Sequence, residues 1–293
     1  MIQNFAVLKP AMLTLIGFLA LSHTNHRANA ADRVQFESAR YQVGPLQLRL
    51  ARERGEPIAR APADLINGYL TKPEGNGPFP AIVHLHGCSG LPKSVKTGAT
   101  NGFWPEQLAA WGYVVLVVDS FTTRGISQAC SGGTAPRIGD AYGAWAYLSG
   151  QSFVDSKRIA VMGFSQGGNT ALSLVQQRDF ELFEYEGDRQ FKAAIAFYPN
   201  CGSDGIMTVA TLILIGELDD WTPSLACKSM MVARSGAGSP VKLMVYPGAY
   251  HAFDIAALQP GREYFGHWTE YNRPAAEQAI EEVRRFLAQQ LGR

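Results

Sequence analysis

Five consecutive residues carry the sharpest chemical signal in this chain: Gly163-Phe164-Ser165-Gln166-Gly167, with Gly168 behind them. They follow a predicted strand, 158–162, and open a predicted helix, 167–177. A turn that tight leaves no room for side chains on its flanks, hence glycine at 163 and 167, and it lifts the Ser165 hydroxyl above the strand end. The positive end of the following helix favours negative charge developing there. A serine hydroxyl is a poor nucleophile near neutral pH, so it needs a general base, and the base needs an orienting acid. After such an elbow the chain order is acid, then histidine. His251 stands just past a predicted strand in Tyr246-Pro-Gly-Ala-Tyr-His-Ala-Phe253 and suits the base. His267 competes for that role but follows no strand. For the acid, the strand 211–215 runs into Glu217, Asp219 and Asp220. Asp219 is the first choice, Asp220 the second and Glu217 the third. The alternative for Ser165 is an ordinary loop serine.

Acyl transfer also needs donors for the oxyanion of a tetrahedral intermediate. One is expected from the backbone N–H of Gln166, directly after the nucleophile. The other is expected from Cys88, in the Gly87-Cys88-Ser89-Gly90 loop after the strand 81–86, where glycines let backbone approach substrate closely. The bland alternative is a plain turn. His84 and His86 alternate on one face of that strand. They suggest a metal pair, but no third ligand stands at sensible spacing, so they read as structural and no metal or cofactor is expected. Trp104, Phe164, Trp221, Tyr250 and Phe253 lie near strand ends and are candidates for an apolar pocket, with core packing as the alternative.

These residues must be held by alternating strands and helices. Strands are predicted at 81–86, 113–119, 158–164, 192–198, 211–215 and 241–246, and helices at 103–111, 137–148, 167–177 and 274–291. Continuous apolar runs such as Tyr113–Asp119 suit strands covered on both faces. Short alternating runs at 34–41, 46–50 and 66–70 have no helix between them and should form an antiparallel edge. The expected fold class is α/β: a mostly parallel sheet with helices on both faces and an antiparallel N-terminal edge. In open sheets of this kind, sites lie beyond the carboxyl ends of the strands.

The 293 residues are 46% hydrophobic and 17% charged, which excludes a disordered or fibrous chain. A formal charge of +1 gives no footprint for nucleic acid. Residues 1–30 read as a secretory leader: Lys9, an apolar run from Ala11 to Leu21, and an Ala28-Asn29-Ala30 cleavage site. A membrane anchor or first core helix is the alternative. Residues 31–293 are expected to form a single domain with no membrane partner after cleavage. In an exported protein, Cys88, Cys130, Cys201 and Cys227 suggest disulfides rather than free thiols. Four cysteines allow three pairings.

Taken together, the strand-end His86-Gly87-Cys88-Ser89-Gly90, the strand 112–119, the elbow, Gly216-Glu-x-Asp219-x-x-x-Pro223 and Pro247-Gly-x-x-His251-x-Phe253 resemble the dienelactone hydrolase family of the α/β-hydrolase superfamily. The likeness covers about 61–287. It implies a Ser165, Asp219, His251 triad. The family's namesakes carry cysteine as nucleophile, so Ser165 implies general serine-esterase chemistry. They also hold a substrate carboxylate with two arginines. Arg124 corresponds to the first; the second position is Ile255. Family strand order would bring Cys88 beside Cys130 and Cys201 beside Cys227. The resulting expectation is an exported serine hydrolase acting on a small-molecule ester or lactone, with Cys88, Gln166, Arg124 and Trp221 contacting substrate. A thioesterase, a peptidase or a non-catalytic binding protein on the same fold are the alternatives.

Overall fold

The computed structural model describes Met1 and residues 31–58, 63–97, 102–132, 135–177, 190–202 and 205–292. The expected leader, apart from Met1, lies outside the described residues.

The elements run β1 (Asp32–Glu37), α1 (Pro45–Arg54), β2 (Leu65–Thr71), β3 (Phe79–Leu85), α2 (Lys93–Lys96), α3 (Phe103–Ala110), β4 (Val114–Asp119), α4 (Arg137–Ser149), β5 (Val154–Phe164), α5 (Gln166–Val175), β6 (Ala193–Phe197), β7 (Ala210–Gly216), α6 (Ser224–Arg234), β8 (Val241–Tyr246), β9 (Arg262–Tyr264), β10 (His267–Thr269) and α7 (Arg273–Leu287). Eight strands form one sheet in the order β1-β2-β4-β3-β5-β6-β7-β8. β2 pairs antiparallel with β1 and β4, and every other neighbouring pair is parallel. The expected α/β class and antiparallel edge are therefore present.

One expected strand is a helix. Leu46-Gln-Leu-Arg-Leu50 alternates like a half-buried strand, yet it lies in α1. Pro45 opens that helix and Gly55 closes it in the left-handed conformation, and none of its residues is buried. With no sheet face to cover, the alternation has nothing to enforce it, and the end signals decide.

The core strands β3 and β4 are buried at every position, as parallel strands covered on both sides must be. The chain steps from β3 outward to β4, then back across to β5. Parallel crossovers are right-handed, so this reversal puts α3 and α4 on opposite faces. The Arg284 guanidinium of α7 sits 5.9 Å over the Trp111 ring at the end of α3, so these two helices share a face. β3 and β5 are neighbours on either side of the reversal, pairing Leu85 with Gly163. The loop after β3 therefore lies beside the elbow after β5.

Candidate active site

Ser165 is the sharp point between β5 and α5, with φ 51° and ψ −117°. A non-glycine residue there is strained, and its neighbours show why the turn cannot relax. A Cβ on Gly163 would stand 2.0 Å from the Gly167 oxygen, and one on Gly167 would stand 2.3 Å from the Leu85 oxygen. Ser165 N–H donates to Phe197 O at 2.9 Å, fixing the turn to β6.

The His251 loop and the Asp219 loop meet this point. His251 Nε2 is 3.0 Å from Ser165 Oγ, and its Nδ1 is 2.8 Å from Asp219 Oδ2. Asp219 is buried and well supplied with donors: the Trp221 and Thr222 N–H groups reach Oδ1 at 3.0 and 2.8 Å, and the Thr222 hydroxyl reaches Oδ2 at 2.9 Å. The competing residues have other employment. Asp220 faces His267 at 3.3 Å, and Glu217 accepts the Gly248 N–H at 3.1 Å.

Gly87 lies against the elbow, its added Cβ falling 3.6 Å from that of Ser165. Cys88 is bonded to Cys130 and Cys201 to Cys227, the pairing expected from the resemblance. Among the described residues, neither the Cys88 nor the Gln166 N–H has a partner. For Gln166 this follows from its place at the start of α5, where the first N–H groups have no acceptor within the helix.

Ser165, His251 and Cys88 line a cleft of about 860 Å³, with Trp104, Phe164, Tyr198 and Trp221 among its walls. Trp221 stands 5.0 Å from the His251 ring and stacks on His267 at 4.8 Å. Phe253 is instead core, and Tyr250 packs edge-on to Trp268. His84 and His86 are buried beside Phe164 and Phe121 respectively. Burial lowers His84 to about 4. Burial, helped by the Arg137 charge, takes His86 well below its ordinary value.

Arg124 departs from expectation. It does not line the cleft. Its fork clasps buried Asp140 through two bonds of 2.8 and 2.9 Å, while Nε donates to Asp64 at 2.8 Å. A bidentate pair with a buried carboxylate leaves that guanidinium no face for substrate.

Two features went unread in the sequence. Asp254, three residues past His251, accepts the Trp104 indole N–H at 2.8 Å and the Tyr198 hydroxyl at 2.9 Å. Burial raises its carboxyl above the ordinary value against these two donors. The Tyr198 ring in turn packs 4.6 Å from that of His251, so Asp254 braces one wall of the site. The second is Arg137, buried at the start of α4 and reaching Gln166 and the His86 carbonyl. Burial lowers its guanidinium to about 10. No sequence signal separates either residue from ordinary surface charge.

The switch in strand order, the elbow after β5 and the loops converging beyond the strand ends define an α/β-hydrolase fold. The dienelactone hydrolase family model matches residues 66–291, and the chain belongs to that family. It is 31% identical over 164 residues to cutinase 1 of Thermobifida cellulosilytica, covering 53% of this chain and 54% of that protein. The chain thus spans about half the length of the cutinases it matches. A putative carboxymethylenebutenolidase of Methylorubrum extorquens is 23% identical, over 64% of this chain and 68% of that one. Among solved structures, a putative dienelactone hydrolase from Klebsiella pneumoniae superposes with a TM-score of 0.58 at 16% identity, covering 88% of this chain and 99% of that one.

Proposed function

We propose that this chain is an exported serine hydrolase that cleaves an uncharged carboxylic ester or lactone through an acyl-enzyme. The observation that carries the reading is the continuous line Ser165 Oγ, His251 Nε2, His251 Nδ1, Asp219 Oδ2, with steps of 3.0 and 2.8 Å across three loops distant in sequence. His251 takes the proton from Ser165 as Oγ bonds to the carbonyl carbon. The carbonyl oxygen becomes an oxyanion, received by the unpartnered Cys88 and Gln166 N–H groups. Collapse expels the alkoxide, to which His251 returns the proton. Water then adds to the acyl-enzyme by the same route and frees the acid. Asp219 stays ionised throughout, holding the imidazole and stabilising its charged form.

The cleft supports an uncharged substrate. Ile255 and Arg262 line it together with Asp254 and Glu277, so among the described residues the one arginine there is outnumbered by carboxylates, and Arg124 is spent on Asp140. The paired cysteines support an oxidising compartment, in keeping with a leader at 1–30 and one domain over 31–293. A fluorophosphonate probe and p-nitrophenyl butyrate test the reading. Wild type should label and turn over, and Ser165→Ala should do neither. A folded wild type that does neither refutes it.

A further inference from the structure

We infer that Arg137 is the positioning residue of the oxyanion site: one buried guanidinium ties together the two segments that present the Cys88 and Gln166 N–H groups. This rests on the reading of those groups as the donors to the tetrahedral intermediate. Arg137 opens α4, a crossover that supplies neither donor. Its Nη1 donates to Gln166 Oε1 at 2.8 Å, and its Nη2 donates to the His86 carbonyl. Each bond lands on a donor residue or two residues before one.

The His86 ring continues the chain. Its Nδ1 is 2.6 Å from the Gly87 oxygen, so Nδ1 carries the proton and the neutral ring donates. In a trans peptide the C=O and N–H point opposite ways. With the Gly87 oxygen drawn back to the His86 ring, the Cys88 N–H of the same peptide is turned away from it. Beyond that peptide, the Ala129 N–H bonds the Cys88 oxygen at 2.8 Å and Cys130 closes the disulfide.

The cost of the arrangement argues that it is purposeful. A buried cation is expensive unless paired. Yet Arg137 hydrogen-bonds no carboxylate among the described residues, since Asp140 is clasped by Arg124. What Arg137 has instead is the Phe121 ring at 5.4 Å and two acceptors on separate segments, one just after β3 and one at the start of α5. Only a planar fork spans two such acceptors in fixed geometry.

The test compares wild type with Arg137→Met and Gln166→Leu. The second variant keeps its backbone N–H but loses the acceptor for Arg137. The substrate is p-nitrophenyl butyrate, and the inhibitor is an alkyl trifluoromethyl ketone, whose adduct with serine carries an oxyanion. Arg137→Met should lower kcat by about 10²–10³-fold, the loss typical of a missing oxyanion donor, with KM little changed. The inhibitor's Ki should rise by the factor that kcat/KM falls. Gln166→Leu should lower kcat by about tenfold or more. A purely structural role would lower the melting temperature and leave kcat and Ki of the folded protein alone. Folded Arg137→Met with kcat and Ki near wild type overturns the inference. If Arg137→Met does not fold, Gln166→Leu decides, and unchanged kcat and Ki there overturn it. A wild type that hydrolyses no ester overturns the underlying reading as well, whereas active variants beside an active wild type overturn this inference alone.

Discussion

Replacing Asp219 by asparagine is the severest test of the proposed chemistry, because the structure dictates which way the amide must face. Oδ1 accepts two backbone N–H groups, from Trp221 at 3.0 Å and Thr222 at 2.8 Å. An asparagine must keep its oxygen there, since an NH2 would oppose two donors. Its NH2 then takes the place of Oδ2, 2.8 Å from His251 Nδ1. A donor facing Nδ1 requires that nitrogen to be unprotonated and moves the imidazole proton to Nε2. That is the nitrogen 3.0 Å from Ser165 Oγ, and it no longer has a lone pair for the serine proton. The expected loss in kcat is about 10⁴-fold, the magnitude known for a triad held in the wrong tautomer, or about 5.5 kcal/mol of barrier. Stability should change little. Both Oδ1 bonds survive, and the Thr222 hydroxyl turns its one proton from Oδ2 to the Tyr198 oxygen, 3.0 Å away. Asp219→Ala should behave inversely. It strands two N–H groups at about 1–3 kcal/mol each but leaves the imidazole free to adopt either tautomer, so it should melt lower and retain more activity. Purified variants are compared by kcat on p-nitrophenyl butyrate and by thermal melting. Asp219→Asn within tenfold of wild type, or an alanine variant less active than the asparagine one, refutes the reasoning.

The remaining predictions use the same assays. Reducing Cys88–Cys130, or replacing both residues by serine, releases the loop that carries one proposed oxyanion donor. It should lower stability by up to about 4 kcal/mol on chain-entropy grounds and lower kcat more than KM, whereas equal kcat in the reduced folded form would count against that donor. A butyrate ester should be preferred over a hemisuccinate ester of the same alcohol by at least about tenfold in kcat/KM, because Asp254 and Glu277 line the cleft; equal rates would remove the argument for an uncharged substrate. His84 resists protonation down to about 4, while the unfolded chain accepts that proton near 6.5. Its contribution is therefore full above pH 6.5 and is lost as pH falls towards 4, at up to about 1.4 kcal/mol per pH unit. His84→Asn should flatten the acid limb of urea-unfolding stability by one proton's share, and an unchanged slope would contradict the burial argument.

Periodicity revealed the interior of the sheet and failed at its margins. Tyr113–Asp119 and the strand before the elbow announce themselves because strands buried on both faces must be apolar throughout. α6 gave no such signal: its buried positions are Ser224, Cys227, Met230 and Arg234, helical in spacing but mixed in polarity. The hairpin of β9 and β10 has three-residue strands, and all three β9 residues are exposed, too short for alternation to register. Leu46–Leu50 alternates well and is still a helix, because a pattern specifies a strand only where a sheet accepts its face.

The residues that meet beyond the strand ends divide in the same way. Ser165, Asp219 and His251 each sit in a local context that topology turns into a position, since every strand end of a parallel sheet opens onto one rim. The arginines have no such context. Arg124 and Arg137 lie thirteen residues apart in one connection, and Asp140 stands three past the second. Helical spacing alone would set Arg137 against Asp140, one turn away, and the family resemblance gives Arg124 to substrate. The fold reverses this. Asp140 closes on Arg124, and the displaced Arg137, deprived of its nearest carboxylate, takes the carbonyl of His86 and the amide of Gln166. Which arginine meets the carboxylate is settled by the direction of two side chains on packed elements, a quantity that one-dimensional spacing does not contain, and it moves the useful cation from the substrate's side of the rim to the protein's.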